Sequence, residues 1–277
     1  MTAVEVRVSS QWLRLREPAD AAARSLDLAR EAAAARAGTG PTVVHDLGCG
    51  SGSMGRWLAP LLDGPQHWVL HDRDPDLLAV AATEPPRAAG GLPVPVETRR
   101  DDLTRLGPGD LAGASLITAS ALLDMLTAPE LQRFARSCVA AAVPTLVTLS
   151  VTGRVRLTPS DPLDAALGSA FNRHQRRTVG GRTLLGPVAA RTAVDVFGEL
   201  GSRVEVRPSP WRLDAGCPSL TRDWLAGWVG AAVEQRPELA PAAPAYLARR
   251  LDEIEHGGLT VTVQHLDLLA LPPRSRA

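Results

Sequence analysis

The chain has 277 residues, of which 45% are hydrophobic and 22% are charged, and its 30 acidic residues balance 30 basic ones. This composition excludes a small disulfide-stapled scaffold and a disordered chain, and the length suffices for one large domain or two ordinary ones. Because the net charge is zero, binding to nucleic acid or to an anionic membrane would require a local basic block, and the sequence shows none. We therefore expect neither partner.

The cysteines and the N-terminal segment bear on the cellular compartment. Cys49, Cys138 and Cys217 are far apart and form no CxxC pattern, so neither a disulfide framework nor a metal site is expected. The N-terminal segment carries charges throughout and lacks the apolar centre of a signal peptide. No apolar run reaches the ~20 residues that cross a bilayer. We therefore expect a cytoplasmic protein.

The N-terminal part of the chain predicts a helix that precedes the main fold. Residues 18–37 are rich in Ala, Leu, Arg and Glu, with Pro18 in the first turn and Gly38 after the last. Proline and glycine have these preferences at helix ends. We therefore expect residues 1–40 to form a helical lead or cap, and residues 41–277 to form the principal domain.

From residue 41 onward, apolar strand patterns alternate with helical patterns. The predicted strands are residues 41–47, 66–72, 94–98, 114–120, 145–151 and 203–207. The predicted helices are residues 54–62, 76–83, 129–142, 163–176, 187–200, 219–235 and 241–254. This alternation predicts an α/β fold with a parallel sheet covered by helices on both faces. Residues 259–269 alternate apolar and polar side chains, which is typical of an antiparallel or edge strand.

Two segments interrupt the alternation. Residues 152–186 are rich in glycine and proline around one short helix, and they are too long for a simple connection. Such a length predicts an active-site lid or a specificity element. Residues 212–257 form a second, mainly helical insertion before the last strand. We expect both insertions to lie over the active site.

A glycine-rich turn follows the first predicted strand. Gly48, Gly50 and Gly52 form a GxGxG pattern, and Gly50, Gly52 and Gly55 form an overlapping GxGxxG pattern. Either pattern lets the backbone approach a ligand closely. The second pattern also seats the pyrophosphate of a dinucleotide, with an acid about 20 residues further on for the ribose. Asp72 has that spacing and serves both interpretations.

Asp46, which lies two residues before the glycines, separates the two interpretations. A carboxylate aimed into the loop repels a pyrophosphate but accepts a hydrogen bond from an ammonium group. The segment Asp46-Leu-Gly-Cys-Gly-Ser-Gly resembles the first motif of the class I S-adenosylmethionine-dependent methyltransferase family, written E/D-x-G-x-G-x-G. The resemblance covers residues 41–151. It implies a Rossmann-like, mostly parallel sheet of seven strands whose last strand is antiparallel.

The resemblance also implies a cofactor, S-adenosyl-L-methionine, and the residues that hold it. In the family an acid at the end of the second strand binds the ribose hydroxyls, here Asp72. An Asp after the third strand binds the adenine amino group beside an apolar residue, here Asp102 and Leu103, with Asp101 as the alternative register. The backbone after the fourth strand passes under the methionine moiety, here at Ser120. The implied cofactor site comprises Asp46, Gly48, Cys49, Gly50, Asp72, Arg73, Asp101, Asp102, Leu103 and Ser120.

Two residues are candidates for the catalytic chemistry. Asp124 follows the fourth strand, and it either contacts the substrate or is a solvated residue at the start of the next helical segment. His174 lies in the first insertion, and it either acts as a general base or is a surface histidine on a basic helix face. The neighbouring Arg173, Arg176 and Arg177 either clamp a carboxylate or phosphate or face solvent.

Residues near the two ends of the sequence complete the set. Arg16 and Arg24 in the leading segment are placed to reach the carboxylate of the cofactor, as N-terminal residues do in some members of the family. His265 and Asp267 share one face of the last predicted strand. In an antiparallel strand they are expected toward the end remote from the ligand rim, so we interpret them as structural.

These features predict a methyltransferase that acts on a small molecule by in-line transfer, in which positioning supplies most of the catalysis. An anionic acceptor would suit the arginines of the first insertion. One alternative is an NAD-dependent oxidoreductase that uses the GxGxxG glycines, against which Asp46 and the Asp101-Asp102 pair argue. The other is an S-adenosylmethionine-binding module without transferase activity, which would have no need of the long insertion that carries Arg and His.

Overall fold

The centre of the protein is a mixed β-sheet, seen in a computed structural model that describes residues 8–36 and 40–273. The strands are β1 (Thr42–Leu47), β2 (Gln66–Asp72), β3 (Val96–Arg100), β4 (Leu116–Ser120), β5 (Thr145–Thr158), β6 (Thr178–Val179), β7 (Arg182–Thr183), β8 (Arg203–Pro208), β9 (Trp211–Leu213) and β10 (Thr260–Leu271). The main sheet has the order β3-β2-β1-β4-β5-β10-β8, with β9 also paired to β10, while β6 and β7 form a separate hairpin. β1 to β5 are parallel, and β10 is antiparallel to both β5 and β8. The predicted Rossmann-like sheet with an antiparallel last strand is confirmed.

Helices cover both faces of this sheet. They are α1 (Ser10–Ala23), α2 (Leu26–Ala35), α3 (Ser53–Leu58), α4 (Pro75–Thr83), α5 (Ala128–Ala140), α6 (Asp164–Gln175), α7 (Ala189–Glu199), α8 (Pro218–Gln235) and α9 (Ala243–Glu255). α2, α3 and α4 bury residues such as Leu28 and Met54 against one face. α5 and α7 pack Phe134 and Phe197 against the other. Within residues 8–36 and 40–273, no helix is long and apolar enough to cross a membrane.

The C-terminal half of β5 and the N-terminal half of β10 extend beyond the parallel strands and support a third layer. Their pairing continues to Leu157 opposite Val261, and α6, α8 and α9 pack on this extension with Trp224 and Trp228 stacked 5.4 Å apart. The sequence pattern ended the fifth strand at residue 151, and this boundary was wrong. The first part of the 152–186 insertion is therefore strand, and only its remainder forms α6 and the small hairpin.

The N-terminal segment also differs from the expectation. The predicted helix 18–37 is two helices, and the first begins eight residues before Pro18, where the Ser9 hydroxyl accepts a hydrogen bond from the Trp12 N–H at 3.1 Å. The helical conformation is interrupted at Arg24, and the Ser25 hydroxyl caps the N-terminus of α2. Pro18 therefore lies inside α1 rather than in its first turn. Gly38, the predicted terminator, lies outside the described residues.

Candidate active site

The glycine loop after β1 is held against β2 and covered by α1. The backbone N–H groups of Gly48 and Cys49 donate to the His71 carbonyl oxygen at 2.8 and 2.9 Å. Gly50 has a φ of +54°, and a Cβ atom there would lie 3.1 Å from Leu13 of α1. Glycine adopts this left-handed backbone without strain and leaves room for Leu13. The sequence thus needs glycine here for the turn and for the approach of the N-terminal helix.

Asp46 points a carboxylate toward this loop from the interior of β1. Its Oδ1 accepts a hydrogen bond from the Thr118 hydroxyl at 2.7 Å, whereas its Oδ2 has no partner within the described residues. The side chain is buried, and this burial raises the pKa of Asp46 to about 6. The carboxylate is ionised at neutral pH and has one oxygen free to accept a hydrogen bond.

Arg24, at the break between α1 and α2, brings a positive charge to the same region. Its Nη2 donates to the hydroxyls of Ser53 and Ser120 at 3.2 and 3.1 Å. Its Nε and Nη1 are buried and find no partner in the part of the chain that the structure describes. Burial lowers the pKa of Arg24, and the nearby Asp20 and Asp46 carboxylates oppose that shift. The site therefore holds two buried opposite charges, each with unused hydrogen-bonding capacity.

The predicted nucleoside residues lie at the ends of β2 and β3. Asp72 accepts from the Gly50 N–H at 2.8 Å through Oδ2 and from the Asp74 N–H at 3.0 Å through Oδ1. Arg73 is exposed next to it. The side chain of Asp102 caps a short 3-10 turn through the Thr104 N–H at 3.0 Å. These contacts fix the carboxylates of both acids at the rim of the sheet.

Leu103 and Asp101 have different neighbours. A Cβ on Gly48 would lie 3.5 Å from Leu103, so this apolar side chain lies against the glycine loop. The Asp101 carboxylate accepts a hydrogen bond from His71 Nδ1 at 2.7 Å, which leaves Asp102 as the carboxylate beside Leu103 that makes no such contact. This arrangement favours the Asp102 register for an adenine contact.

His71 belongs to a chain of polar groups that the sequence analysis missed. His45 Nδ1 lies 3.0 Å from His71 Nε2, and both imidazoles are buried side by side between neighbouring strands. Burial lowers the pKa of both residues, that of His45 to about 4. Neutral imidazoles therefore connect the core of the sheet to Asp101. The residue types are visible in the sequence, but their pairing depends on the β1–β2 register.

Near the glycine loop, α1 presents a cation over an aromatic ring. Arg16 makes a bidentate ion pair with Asp20 at 2.9 and 3.1 Å, and its guanidinium lies 4.9 Å from the Trp211 ring centre. The Trp211 indole N–H donates to Asp20 at 3.0 Å. Arg16 is therefore held by this ion pair and does not extend freely, whereas Arg24 is the N-terminal arginine that reaches the region of Asp46.

Asp124 lies in a 3-10 turn, Leu123–Met125, directly after β4. The residue is half-buried, and burial raises the pKa of its carboxyl group to about 6, with Arg16 as the opposing cation. This carboxylate is more basic than an ordinary aspartate. A pKa raised toward neutrality is a property that general bases share.

His174 lies elsewhere. Its Nδ1 is 4.0 Å from a Glu234 carboxylate oxygen, and burial together with Arg177 lowers the pKa of the imidazole. Within residues 8–36 and 40–273, its charged neighbours are Glu234 of α8 and Arg177 of the turn after α6, and neither belongs to the glycine loop. A catalytic role for His174 stays a prediction from the sequence, and these contacts do not strengthen it.

The expected position of His265 and Asp267 was wrong. Because β5 extends beyond the ends of its parallel neighbours, these residues of β10 lie beside the rim rather than remote from it: His265 pairs with Val151. The Asp267 carboxylate accepts from the Leu149 N–H at 2.8 Å and from the Ser25 N–H at 2.7 Å. Asp267 thereby fixes the α1–α2 break that carries Arg24.

The comparisons with known proteins bear on the fold. A cyclopropane-fatty-acyl-phospholipid synthase-like protein from Lactobacillus casei ATCC 334 matches with a TM-score of 0.53 at 15% identity, covering 98% of this chain and 96% of that one. Mycolic acid cyclopropane synthase CmaA1 complexed with SAH and CTAB matches with a TM-score of 0.50 at 14% identity and covers 94% of each chain. No family model and no curated protein matches the sequence. With the strand order above, these likenesses show that the chain has the fold of class I S-adenosylmethionine-dependent methyltransferases.

Proposed function

We propose that the protein binds S-adenosyl-L-methionine and transfers its methyl group to a small-molecule acceptor. The observation that carries the proposal is that Arg24 and Asp46 are both buried in the same region and that Nε and Nη1 of the arginine and Oδ2 of the aspartate have no partners in the described residues. Buried polar groups without partners are costly and rare in native proteins. Their presence beside a glycine loop indicates a ligand that satisfies both charges.

The charges of the atoms without partners determine which of the two candidate cofactors fits the site. The amino-acid tail of S-adenosylmethionine carries a carboxylate, which matches Arg24, and an ammonium group, which matches Asp46. The pyrophosphate of a dinucleotide would satisfy the arginine, but it would face the ionised Asp46 carboxylate at the same loop. The charge pair therefore supports S-adenosylmethionine over NAD.

The nucleoside half of the cofactor is expected at the neighbouring strand ends. An ionised carboxylate has about four acceptor positions, so Asp72 can bind ribose hydroxyls while it keeps the Gly50 N–H contact. Asp102 is placed to accept from the adenine amino group, and Leu103 to pack on the ring. In this arrangement the contacts that bind the cofactor also order the glycine loop.

The bound cofactor supplies an activated methyl group whose leaving group is a neutral thioether. The chain's own residues supply binding, orientation and removal of a proton. Holding the acceptor in line with the methyl group accounts for most of the rate gain, because proximity alone is worth several kcal/mol. We assign proton removal from an O–H or N–H acceptor to Asp124, whose pKa of about 6 leaves it ionised at neutral pH and unusually basic.

The test is calorimetric titration of the protein with S-adenosylhomocysteine and with 5′-methylthioadenosine, which lacks the amino-acid tail. We expect the first ligand to bind at least tenfold more tightly in the wild type. Arg24→Met and Asp46→Asn should each remove most of this difference while leaving the weaker ligand unaffected. Asp63→Asn, an exposed control, should behave as the wild type. Equal affinity of the two ligands, or tighter binding of NAD, would contradict the proposal.

Transferase activity is tested separately from binding. Incubation with S-adenosylmethionine and bacterial metabolite extracts is expected to yield S-adenosylhomocysteine, and the consumed extract component identifies the acceptor. Asp124→Asn should slow formation of this product by about 10²-fold or more while keeping cofactor affinity. Tight cofactor binding without product across broad extracts would support instead a binding module that transfers no methyl group.

A further inference from the structure

A second concave site lies outside the proposed cofactor crevice, between the C-terminal end of α6, the β6–β7 hairpin and the start of α5. It is an open cavity of about 1050 Å³. Four arginines line it, namely Arg173, Arg176, Arg177 and Arg182, and the described residues that line it include no acidic side chain. In a chain whose net charge is zero, this is a marked concentration of positive charge.

The arginines differ in how far they are already engaged. Arg182 makes a bidentate ion pair with Glu130 at 2.8 and 2.7 Å and also donates to the Met125 carbonyl oxygen at 3.1 Å. Arg177 donates to the His174 carbonyl oxygen at 3.0 Å and makes no ion pair with the residues that the structure describes. Within residues 8–36 and 40–273, the guanidinium of Arg176 has no hydrogen bond or ion pair that would neutralise it. The cavity therefore has a fixed wall and charges available for a ligand.

A simpler interpretation is that these arginines only complement the negative end of the α6 dipole. That explanation covers Arg173 in the last turn of α6, but it does not cover Arg182, which comes from β7. Like charges three and four residues apart also repel one another on a helix. The Glu130 ion pair accounts for Arg182. Arg176 and Arg177 line the same hollow without an acidic partner among the described residues, and an anion bound there would offset their repulsion.

The other lining groups restrict the chemistry of that anion. Leu184, Leu185 and Val188 give the cavity an apolar side. The N-terminus of α5 beside them is already capped by the Glu130 carboxylate, which accepts from the Thr127 N–H at 2.8 Å, so the arginines are the groups left to bind an anion. Guanidinium groups bind phosphate through paired hydrogen bonds. A soluble organic phosphate, with a dianionic head and a less polar body, matches this combination.

We propose that this arginine-lined cavity is a binding site for a soluble phosphate ester or polyphosphate. The site is separate from the region of Asp46 and Arg24, so the inference does not depend on the proposed methyltransferase function. The hairpin that forms its wall is joined to the segment after Asp124, because the Leu185 N–H donates to the Leu126 carbonyl oxygen at 2.8 Å. A ligand bound in the cavity would contact residues 127–129, which follow Asp124 in the chain.

The probe is inorganic pyrophosphate, titrated into the full-length protein by calorimetry at low salt. We expect one equivalent to bind, with at least a tenfold loss of affinity for Arg176→Ala and for Arg177→Ala. Arg30→Ala, which removes an exposed arginine of α2 outside the cavity, should bind as the wild type does. Circular dichroism of each variant checks that it is folded, and S-adenosylhomocysteine affinity should not change in Arg176→Ala.

Three outcomes would overturn the proposal. The first is that pyrophosphate does not bind specifically: either the folded wild-type protein binds none, or all three variants lose affinity equally, and the latter would indicate general electrostatic attraction only. The second is tighter binding of citrate than of pyrophosphate, which would replace the phosphate class by a carboxylate class. The third is Arg176-dependent sedimentation with phosphatidylglycerol vesicles that pyrophosphate does not compete away, which would indicate a membrane surface instead of a soluble ligand.

Discussion

Replacement of Asp46 by asparagine should make the ligand-free protein more stable while it removes cofactor affinity. The asparagine side chain is close to the same size, its oxygen can keep the hydrogen bond from the Thr118 hydroxyl, and it carries no charge. Burial of the ionised carboxylate is the first cause of the raised pKa. The substitution removes that cost and also removes the charge that the proposed ammonium group needs.

The expected magnitude follows from the pKa. A rise from 3.8 to about 6 corresponds to about 3 kcal/mol of stability that the native state forgoes when Asp46 is ionised. At pH 8 the carboxyl is ionised in both the folded and the unfolded chain, so the whole cost is present. As the pH falls through 6 toward 4, the folded form takes up its proton first and the cost disappears. The gain from Asp46→Asn should therefore be large at pH 8 and small near pH 4.

Urea denaturation of the wild type and of Asp46→Asn at both pH values measures this difference. Asp63→Asn replaces an exposed aspartate, serves as the control and should change little at either pH. A variant that is less stable than the wild type at pH 8 would refute the reasoning. A gain of equal size at both pH values would also refute it, because it could not then arise from the ionised carboxylate.

Three further predictions concern the same site. The affinity for S-adenosylhomocysteine should weaken as the pH falls below about 6, since protonation of Asp46 removes its charge. Calorimetry at several pH values should show no such pH dependence for Asp46→Asn. A wild-type affinity that is equally independent of pH would contradict this prediction. Asp124→Asn should lower kcat with the identified acceptor by about 10²–10⁴-fold at unchanged cofactor affinity, and a kcat within threefold of the wild type would remove Asp124 from the chemistry. Gly50→Ala, which forces a side chain into a φ of +54° and toward Leu13, should cost about 1–2 kcal/mol in urea denaturation and weaken cofactor binding; an unchanged midpoint would show that the loop and α1 relax without penalty.

Local patterns in the sequence were sufficient for the central sheet. β1, β2 and β4 follow from short apolar runs bounded by glycine or by acids, and the antiparallel β10 follows from its alternation. The end of β5 was missed although Val151, Val155 and Leu157 alternate with polar residues there, because Gly153 favoured a loop assignment. Alternation was the stronger signal, since β10 supplies a pairing partner along the whole extension.

The residues of the site could be predicted only in part from the sequence. The positions of Asp46, Asp72 and Asp102 relative to the strands follow from the motif, and the structure places all three carboxylates within or directly after the strands that carry them. The contact between His45 and His71 depends on the register of two strands, which no local pattern specifies. The break at Arg24 had a local signal in Ser25, a helix N-cap residue followed by Asp27 in the first turn, but the Ala-rich composition on both sides favoured one continuous helix.

The hydrogen bond between Asp267 and the Ser25 N–H joins residues 242 positions apart. During synthesis Arg24, the glycine loop and the β4 rim are made long before Asp267, so the hydrogen bond that holds the α1–α2 break is absent for most of that time. Contacts of such sequence separation form late, because a long loop must close first. The contact that holds the α1–α2 break, and with it the proposed position of Arg24 for the cofactor, therefore depends on a strand that is synthesised last.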